Sequence, residues 1–309
     1  LEWGEDNVSV VPGPIPGDTT DRLYFTGDDF PRVGTVATLV SGSAGYPFAS
    51  YRLGVPAPPG APGTTKAGTA DEGPPSSPSA VIELTDTESV AVAIPSHTGT
   101  PSNALNFGTG SLKRIYRSNT GSTNTTFQFV GEIAYTAATF TDTKDAANLG
   151  EVLPSGNWIG PPNDDTSLYP DGPLKGLISL AQGVMAGFTG KRFCLSEPFV
   201  PHAWPIQYRI TTEEDIVAIA STANGVAALT DGQPYFITGT EPSSMTAIRI
   251  DLAQACINTN SVVDMGDYVL YAAPDGLCAL QSASGSVVTA GLISSKQWNS
   301  DFNPTTIRS

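Results

Sequence analysis

The chain alternates between short runs of apolar residues and clusters of Gly, Pro, Asn, Asp and Ser. In the first stretch, 1–55, the apolar runs 23–25 and 36–40 are bounded by such turn residues, as at Gly27-Asp28-Asp29. Runs of this length with these boundaries predict β-strands. We therefore expect 1–55 to be an N-terminal β segment that contributes to a larger β structure.

The most regular pattern lies in 151–309, where three pairs of apolar runs each flank a glycine. The pairs occupy 183–196, 225–239 and 268–280. Their turn glycines are Gly190, Gly232 and Gly276, spaced by 42 and 44 residues. Because glycine tolerates positive φ, each pair predicts a β-hairpin. Paired strands at a period near 40–50 residues are typical of β-propeller blades, although an ordinary meander has the same local pattern.

Between these parts lie a proline-rich stretch and a second β pattern. Residues 56–78 are rich in Pro, Gly, Ser and Thr, which predicts a linker without a central strand, because proline cannot donate to a ladder. In 79–150, apolar positions such as Val81, Leu84 and Val90 give strand-like clusters. The runs 113–117 and 127–130 alternate polar and apolar residues, and the run 139–142 closes the pattern. This spacing fits a small β-sandwich and resembles the last half of a fibronectin type III domain.

Helix content is expected to be low. Residues 211–220 begin with a Thr-Thr-Glu-Glu-Asp sequence that suits a helix start, but the β-branched run 216–219 favours a strand. The predicted fold class is therefore all-β, with propeller-like blades and an inserted fibronectin type III-like β-sandwich. No apolar run reaches the 18 residues of a spanning helix, so no membrane-spanning segment is expected.

Composition and charge narrow the function classes. The 309 residues include 58 Gly and Pro, with 15 Lys and Arg against 30 Asp and Glu, for a formal charge of −15. Such a balance argues against an electrostatic grip on nucleic acid, because phosphate contacts require clustered basic residues.

The few cysteines and histidines exclude several chemistries. Cys194, Cys256 and Cys278 lack the two-residue spacing of a zinc or redox motif, which predicts small buried side chains in a reducing compartment. His97 and His202 are the only histidines, which disfavours a multi-histidine metal site. We assign His97 no role.

Catalytic and ion-binding patterns are weak. His202 could pair with Glu197 or Ser196, but the surrounding prolines and the lack of a nucleophile elbow favour a packing role. Aspartates recur in turns without the spacing of a calcium loop; they are Asp28, Asp29, Asp164, Asp165, Asp231 and Asp275. Paired carboxylates for glycoside hydrolysis stay open, because their separation is spatial. Asn7 and Asn124 begin glycosylation-type patterns that also occur in unmodified proteins. We therefore assign no catalytic, cofactor-binding or metal-binding residue and expect no cofactor and no enzymatic activity.

A set of phrases in the C-terminal half resembles tailed-bacteriophage virion proteins of the tail tubular or nozzle type, found in short-tailed phages. The phrases lie at 154–158 (PSGNW), 174–177 (LKGL), 183–188 (GVMAGF), 196–198 (SEP) with 201–205 (PHAWP), and 263–266 (VDMG) with 274–277 (PDGL). The resemblance extends from about Leu112 to Pro304, and 1–55 fits the preceding part less sharply. It brings no catalytic residue.

The resemblance implies a structural subunit of a phage tail. Such a subunit is rich in β-propeller structure and forms a homo-oligomeric ring, expected to be a hexamer, below the portal and adaptor. The ring contacts other tail proteins and is a conduit through which double-stranded DNA leaves the capsid without specific binding. Its location would be the virion, after synthesis in the bacterial cytoplasm, which the few cysteines and the lack of a recognisable leader at Leu1 also fit.

Two other function classes remain open from the residues. A virion-associated binding module for a host glycan or another tail protein would be favoured by exposed aromatic side chains around Trp158, Trp204 or Trp298. A hydrolase would be favoured by two carboxylates that converge in a central cleft.

Overall fold

The computed structural model describes residues 3, 5, 7–40, 50–55, 57–58, 64–67, 71–82, 88–95, 111–119 and 126–309. These residues are mostly β and belong to two compact units. The first unit comprises Leu1–Ser50, Pro161–Pro201 and Pro205–Ser309. The second comprises Tyr51–Gly160 and His202–Trp204.

The strands, numbered along the chain, are β1 (Ser9–Pro12), β2 (Arg22–Thr26), β3 (Arg32–Thr35), β4 (Tyr51–Arg52), β5 (Thr64–Ala67), β6 (Asp71–Pro75), β7 (Val90–Ala93), β8 (Leu112–Ser118), β9 (Phe127–Ala134), β10 (Thr139–Asp142), β11 (Lys175–Ser179), β12 (Met185–Thr189), β13 (Arg192–Leu195), β14 (Ile210–Thr211), β15 (Ile216–Thr222), β16 (Gly225–Thr230), β17 (Tyr235–Thr238), β18 (Thr246–Arg249), β19 (Val263–Asp264), β20 (Val269–Ala273), β21 (Gly276–Gln281) and β22 (Ser284–Val287). The α-helices are α1 (Val36–Val40) and α2 (Ser295–Gln297), which continues as a π-helical turn over Trp298–Phe302. Short 3₁₀ turns occupy Ala146–Asn148, Ala181–Gly183, Ile206–Tyr208, Pro242–Ser244, Thr259–Ser261 and Pro304–Thr306.

The first unit contains consecutive antiparallel sheets. Strands β1, β2 and β3 pair in that order, and three four-stranded sheets follow as β11 to β14, β15 to β18 and β19 to β22. The first strand of each sheet lies against the first strand of the next, β1 on β11, β11 on β15 and β15 on β19. The three predicted hairpins are confirmed as β12–β13, β16–β17 and β20–β21.

The sheet from β15 to β18 is buried on both faces. Val226 and Ala228 pack in one apolar cluster with the sheet of β11 to β14. Ala227 and Leu229 pack in a second cluster with the sheet of β19 to β22. A strand covered on both sides needs no polar alternation, which explains why residues 226–229 form a continuous apolar run. The strand predicted at 216–219 is confirmed as part of β15.

The prediction of a strand at 36–40 is wrong, because these residues form the short helix α1. Two threonines begin the helical turn: the Thr38 amide donates to Thr35 Oγ1 at 3.2 Å, and the Thr35 amide donates to Thr38 Oγ1 at 3.1 Å. Leu39 is buried on this turn, close to Gly34, where an added Cβ would lie 2.8 Å from the Leu39 side chain. Local capping and one buried leucine therefore outweigh the β propensity of the run.

The second unit contains two antiparallel sheets, one with the order β6-β5-β8-β9 and one of β10 and β7. Ile115 of β8, Val130 of β9 and Ile94, which follows β7, form a buried cluster to which both sheets contribute. The strands predicted at 113–117, 127–130 and 139–142 are confirmed. Val81 is exposed outside any strand, and Leu84 lies outside the described residues.

The expectation that 56–78 contains no central strand is wrong. Strand β5 lies between β6 and β8. Its sequence, Thr-Thr-Lys-Ala, contains no proline, so all of its amides are available for the ladder. Pro74 and Pro75 lie in β6 at the edge of the sheet, where missing donors are tolerated. The prolines of residues 56–78 therefore limit which strand positions these residues can take, but they do not prevent a sheet from forming.

No helix among the described residues is long and apolar enough to cross a lipid bilayer.

Candidate binding site

The residues considered for catalysis are held by main-chain partners. Ser196 is fully buried; its Oγ accepts from the Met185 amide at 2.8 Å and donates to the Glu197 carbonyl at 3.1 Å. His202, in the second unit, lies with Nε2 3.0 Å from the Glu72 carbonyl oxygen and Nδ1 3.7 Å from Asp71 Oδ1. These contacts hold both side chains in buried surroundings.

Two of the tryptophans considered for ligand binding are buried. Trp204 is 1% exposed, and its amide donates to the Ile159 carbonyl. Trp298 is 5% exposed, and its indole Nε1 donates to the Ala273 carbonyl at 2.9 Å. Trp158 is half-buried, with its ring edge-on to His202. Trp204 and Trp298 are therefore core residues, which leaves them unable to stack on a sugar.

The turn aspartates make local hydrogen bonds. Asp275 accepts from Ser295 Oγ and from Gln254 Nε2, and these bonds lower the pKa of its carboxyl. Asp231 accepts from the Asp215 amide at 3.0 Å. Within the described ranges, no three His, Cys, Asp or Glu side chains are placed to hold a metal ion. His97 and Asn124 lie outside the described residues.

The three cysteines are free and buried, as the sequence predicts. Burial raises the pKa of the Cys194 and Cys278 thiols to about 11 and that of Cys256 to about 12. A thiol of this kind stays protonated and unreactive at neutral pH.

A buried ionic hub, defined here by Glu72, Arg114, Tyr116 and Ser155, lies in the second unit. The Glu72 carboxylate accepts from Arg114 Nη1 at 2.5 Å, from the Tyr116 hydroxyl at 2.9 Å and from Ser155 Oγ at 3.0 Å. Glu72 is 5% exposed, and Arg114 also contacts the more exposed Glu151. Burial and the hydrogen bond to Glu72 raise the pKa of Tyr116. The hub connects β6, β8 and the loop at residue 155, and Arg114 extends it through Nε, which lies 3.1 Å from Glu132 Oε1.

A half-open pocket of about 240 Å³ lies in the first unit where the first strands of its four sheets approach one another. We call it the central pocket. Both apolar and polar residues line it, and they are Ser9, Gly176, Ile178, Phe188, Ala218, Ile219, Ala220, Ser221, Thr259, Val262 and Asp264.

Irregular backbone shapes the central pocket. The register shifts between Lys175 and Ile178 in β11 and between Ile216 and Ala218 in β15, so two of the lining strands contain bulges. Gly176 has φ +63°, and a Cβ there would lie 2.5 Å from the Phe188 ring. Bulges bend a strand and redirect its side chains, and they are frequent next to functional sites.

Sequence reasoning missed this pocket. The one available signal was the glycine at position 176, because a glycine inside a strand often marks a bulge or a close approach of the backbone. Ser221, Thr259 and Asp264 are far apart in the sequence, and only the packing of separate sheets brings them together.

Neither a protein-family model nor a curated protein matches the chain. Among solved structures, YCF48 from Cyanidioschyzon merolae is 14% identical with a TM-score of 0.30, covering 59% of this chain and 62% of that one. The structure of BBS1N in complex with ARL6DN is 12% identical with a TM-score of 0.29, covering 90% and 68%. Apo AztD from Citrobacter koseri is 13% identical with a TM-score of 0.28, covering 88% and 68%. The chain thus spans less than two thirds of YCF48, and similarities this low carry neither a fold assignment nor a function to this chain.

Proposed function

We propose that this chain is a structural subunit of a bacteriophage tail, a nozzle or tail-tube protein that forms a ring below the portal and adaptor. The subunit performs no chemistry, and its ring is a conduit for the DNA that leaves the capsid. The resemblance of the C-terminal phrases to such proteins supports the proposal. In the finer description, the sheets of the first unit are propeller blades, and the second unit is an inserted fibronectin type III-like sandwich.

The distribution of charge is the observation that carries this proposal. The residues of the first unit include 21 acidic and nine basic side chains, whereas the second unit has nine acidic and six basic ones. The formal charge of −15 therefore resides mainly in the first unit.

In the described part of the first unit, the acidic residues other than Asp264 lie outside the strands. Asp264 is the only acidic residue in a strand of its described part, while five basic residues lie in strands. Those basic residues are Arg22, Arg32, Lys175, Arg192 and Arg249. The connections between strands carry the carboxylates, among them Asp28, Asp29, Glu213, Glu214, Asp231, Glu241 and Asp267. We infer that these carboxylates face the conduit, where they would repel phosphate and let DNA pass without being held.

Location in the particle tests the proposal directly. Particles of the phage that encodes the chain would be purified, analysed by mass spectrometry and labelled with an antibody against the first unit. We expect the chain in the particle and the label at the tail, below the capsid vertex. A chain absent from particles, or label spread over the capsid shell, would contradict the proposal.

Assembly and DNA passage give a second test. We expect the purified chain, alone or with the portal complex, to form a ring of six times its 32.1 kDa mass. The ring should not retard double-stranded DNA in a gel at low salt. A matched variant with Asp29, Asp231 and Glu241 replaced by Lys should retard it, because these residues are exposed in connections between strands. Retardation by the unmodified ring, or a neutral or basic lumen in an image of the ring, would refute the repulsive conduit.

A further inference from the structure

We propose that the central pocket binds an organic cation, an alkylammonium or guanidinium group carried on a short apolar chain. Asp264 is the only charged residue that lines the pocket, and it is also the only acidic residue within a strand of the described part of the first unit. The inference does not depend on the proposed tail function.

Four polar residues line the pocket: Ser9, whose hydroxyl can donate or accept, and Ser221, Thr259 and Asp264, which present acceptors. Ser221 Oγ donates its proton to Asp264 Oδ2 at 3.0 Å, and Thr259 Oγ1 donates its proton to the Val217 carbonyl at 2.9 Å. Both hydroxyls therefore have only lone pairs left to offer. Asp264 accepts from Ser221 and, through Oδ1, from the Gly266 amide at 2.7 Å. A carboxylate has about four lone-pair sites, so about two remain for a ligand.

A ligand that satisfies Ser221, Thr259 and Asp264 must donate hydrogen bonds, and the Ser9 hydroxyl can accept from it as well. Ammonium carries three donors and guanidinium five, and neither carries an acceptor, whereas a carboxylate or phosphate would meet repulsion from Asp264. The excess of 12 negative charges in the first unit also favours a cation over an anion.

The apolar lining residues suit the stem of such a ligand. Ile178, Phe188 and Val262 are among them, and the Phe188 ring lies against Gly176. Side chains of Lys and Arg, and free diamines, combine an alkyl stem with a charged head in this way. A volume of about 240 Å³ has room for one such chain.

Binding of free amines by the full-length chain tests the charge recognition. Isothermal titration would compare pentylamine and agmatine with pentanol, which has a similar alkyl chain and no charge. We expect both cations to bind and pentanol to bind at least about tenfold more weakly, because hydrogen bonds to a charged group are stronger than neutral ones. Equal binding of pentylamine and pentanol, or no binding of any of them with a Kd of about 1 mM or tighter, would overturn the proposal.

Matched variants identify the site. Asp264→Asn keeps the size of the side chain and should lower the affinity for agmatine at least about tenfold. Asp267→Asn removes a carboxylate from the same turn that does not line the pocket, and it should bind like the unmodified chain. Circular dichroism would confirm that both variants fold. Similar losses in both variants would indicate general charge attraction and overturn the assignment to Asp264.

The source of the cation is resolved by a third arm. An uncharged-ended peptide with one central lysine flanked by glycines would be titrated beside agmatine. Tighter binding of the peptide indicates a Lys side chain from another protein, and tighter binding of agmatine indicates a small molecule. Binding of neither would overturn the proposal.

Discussion

Replacement of Glu72 by glutamine measures how much the Glu72 carboxylate in the buried ionic hub contributes to the free energy of unfolding. In the unmodified chain, the Tyr116 and Ser155 hydroxyls lie 2.9 and 3.0 Å from Glu72 Oε1. Glu72→Gln keeps one oxygen, which can still accept from both hydroxyls. The new amide nitrogen would face Arg114 Nη1, so two donors would oppose each other where a charged hydrogen bond of 2.5 Å stood. If the amide group rotated, its oxygen could accept from Arg114 again, but its nitrogen would then face the hydroxyl donors of Tyr116 and Ser155. We expect a loss of about 3 kcal/mol in the free energy of unfolding of the second unit.

A control on the same arginine makes the comparison sharp. Glu151 also contacts Arg114 at 2.5 Å, but its side chain is 60% exposed. Glu151→Gln should therefore cost less than about 1 kcal/mol. Tyr116→Phe, which removes one hydroxyl and keeps the ring, should cost about 1 kcal/mol.

Urea unfolding gives the magnitudes, and hydrogen–deuterium exchange of β8 and β9 assigns them to the second unit. The reasoning would be refuted if Glu151→Gln proved as costly as Glu72→Gln, or if Glu72→Gln left both measurements unchanged. In that case the burial of Glu72 and its donor count would not determine the strength of the hub.

Other predictions concern the first unit. Burial in the folded state raises the pKa of the Cys256 thiol from its usual 9 to about 12, so the stabilisation by this thiol is complete below pH 9 and is lost as the pH rises towards 12. Cys256→Ala should therefore reduce the fall of the urea midpoint with pH across this range. Equal falls of the urea midpoint in the variant and the unmodified chain would contradict this prediction. Gly172 has φ +85° and open space around it, so Gly172→Ala should lower the free energy of unfolding by about 1 kcal/mol. Gly176→Ala adds a clash with the Phe188 ring and should lower the free energy of unfolding clearly more in the same assay. Equal losses would show that the Phe188 ring moves aside. Ellman's reagent should modify no cysteine in the folded chain and three in urea, and rapid labelling of the folded chain would show that the thiols are accessible.

The hairpins of the first unit could be predicted because their information is local. Each consists of two apolar runs and a turn, and Gly190 and Gly276 do adopt positive φ, at +51° and +157°. Gly232 does not, so the residue type indicated the turn without fixing its geometry. The run at 36–40 shows the limit of propensity, because the hydroxyls of Thr35 and Thr38 convert a β-prone sequence into a helical turn.

The hub and the central pocket could not be predicted, because their members meet only through tertiary packing. Ser155 lies 83 positions from Glu72 in the sequence, and no pattern around either residue indicates the other. The same holds for Ser221 and Asp264, which are 43 positions apart and come from different sheets. The sequence does not distinguish an aspartate in an exposed turn from one that lines a pocket, because that difference depends on how the strands pack.

The insertion of residues 51–160 has a consequence for synthesis on the ribosome. The Leu177 amide donates to Thr26 Oγ1, a bond that spans 151 positions, and β1 packs on β11. At 5–20 residues per second, β1 to β3 wait about 7–30 seconds before their neighbouring strand β11 is synthesised. The inserted unit also waits for its last part, since Trp204, which it buries, is translated after β13. Nascent chains of this protein should therefore expose apolar strands for longer than their length suggests, and chaperone occupancy during translation should peak before residue 177 is released.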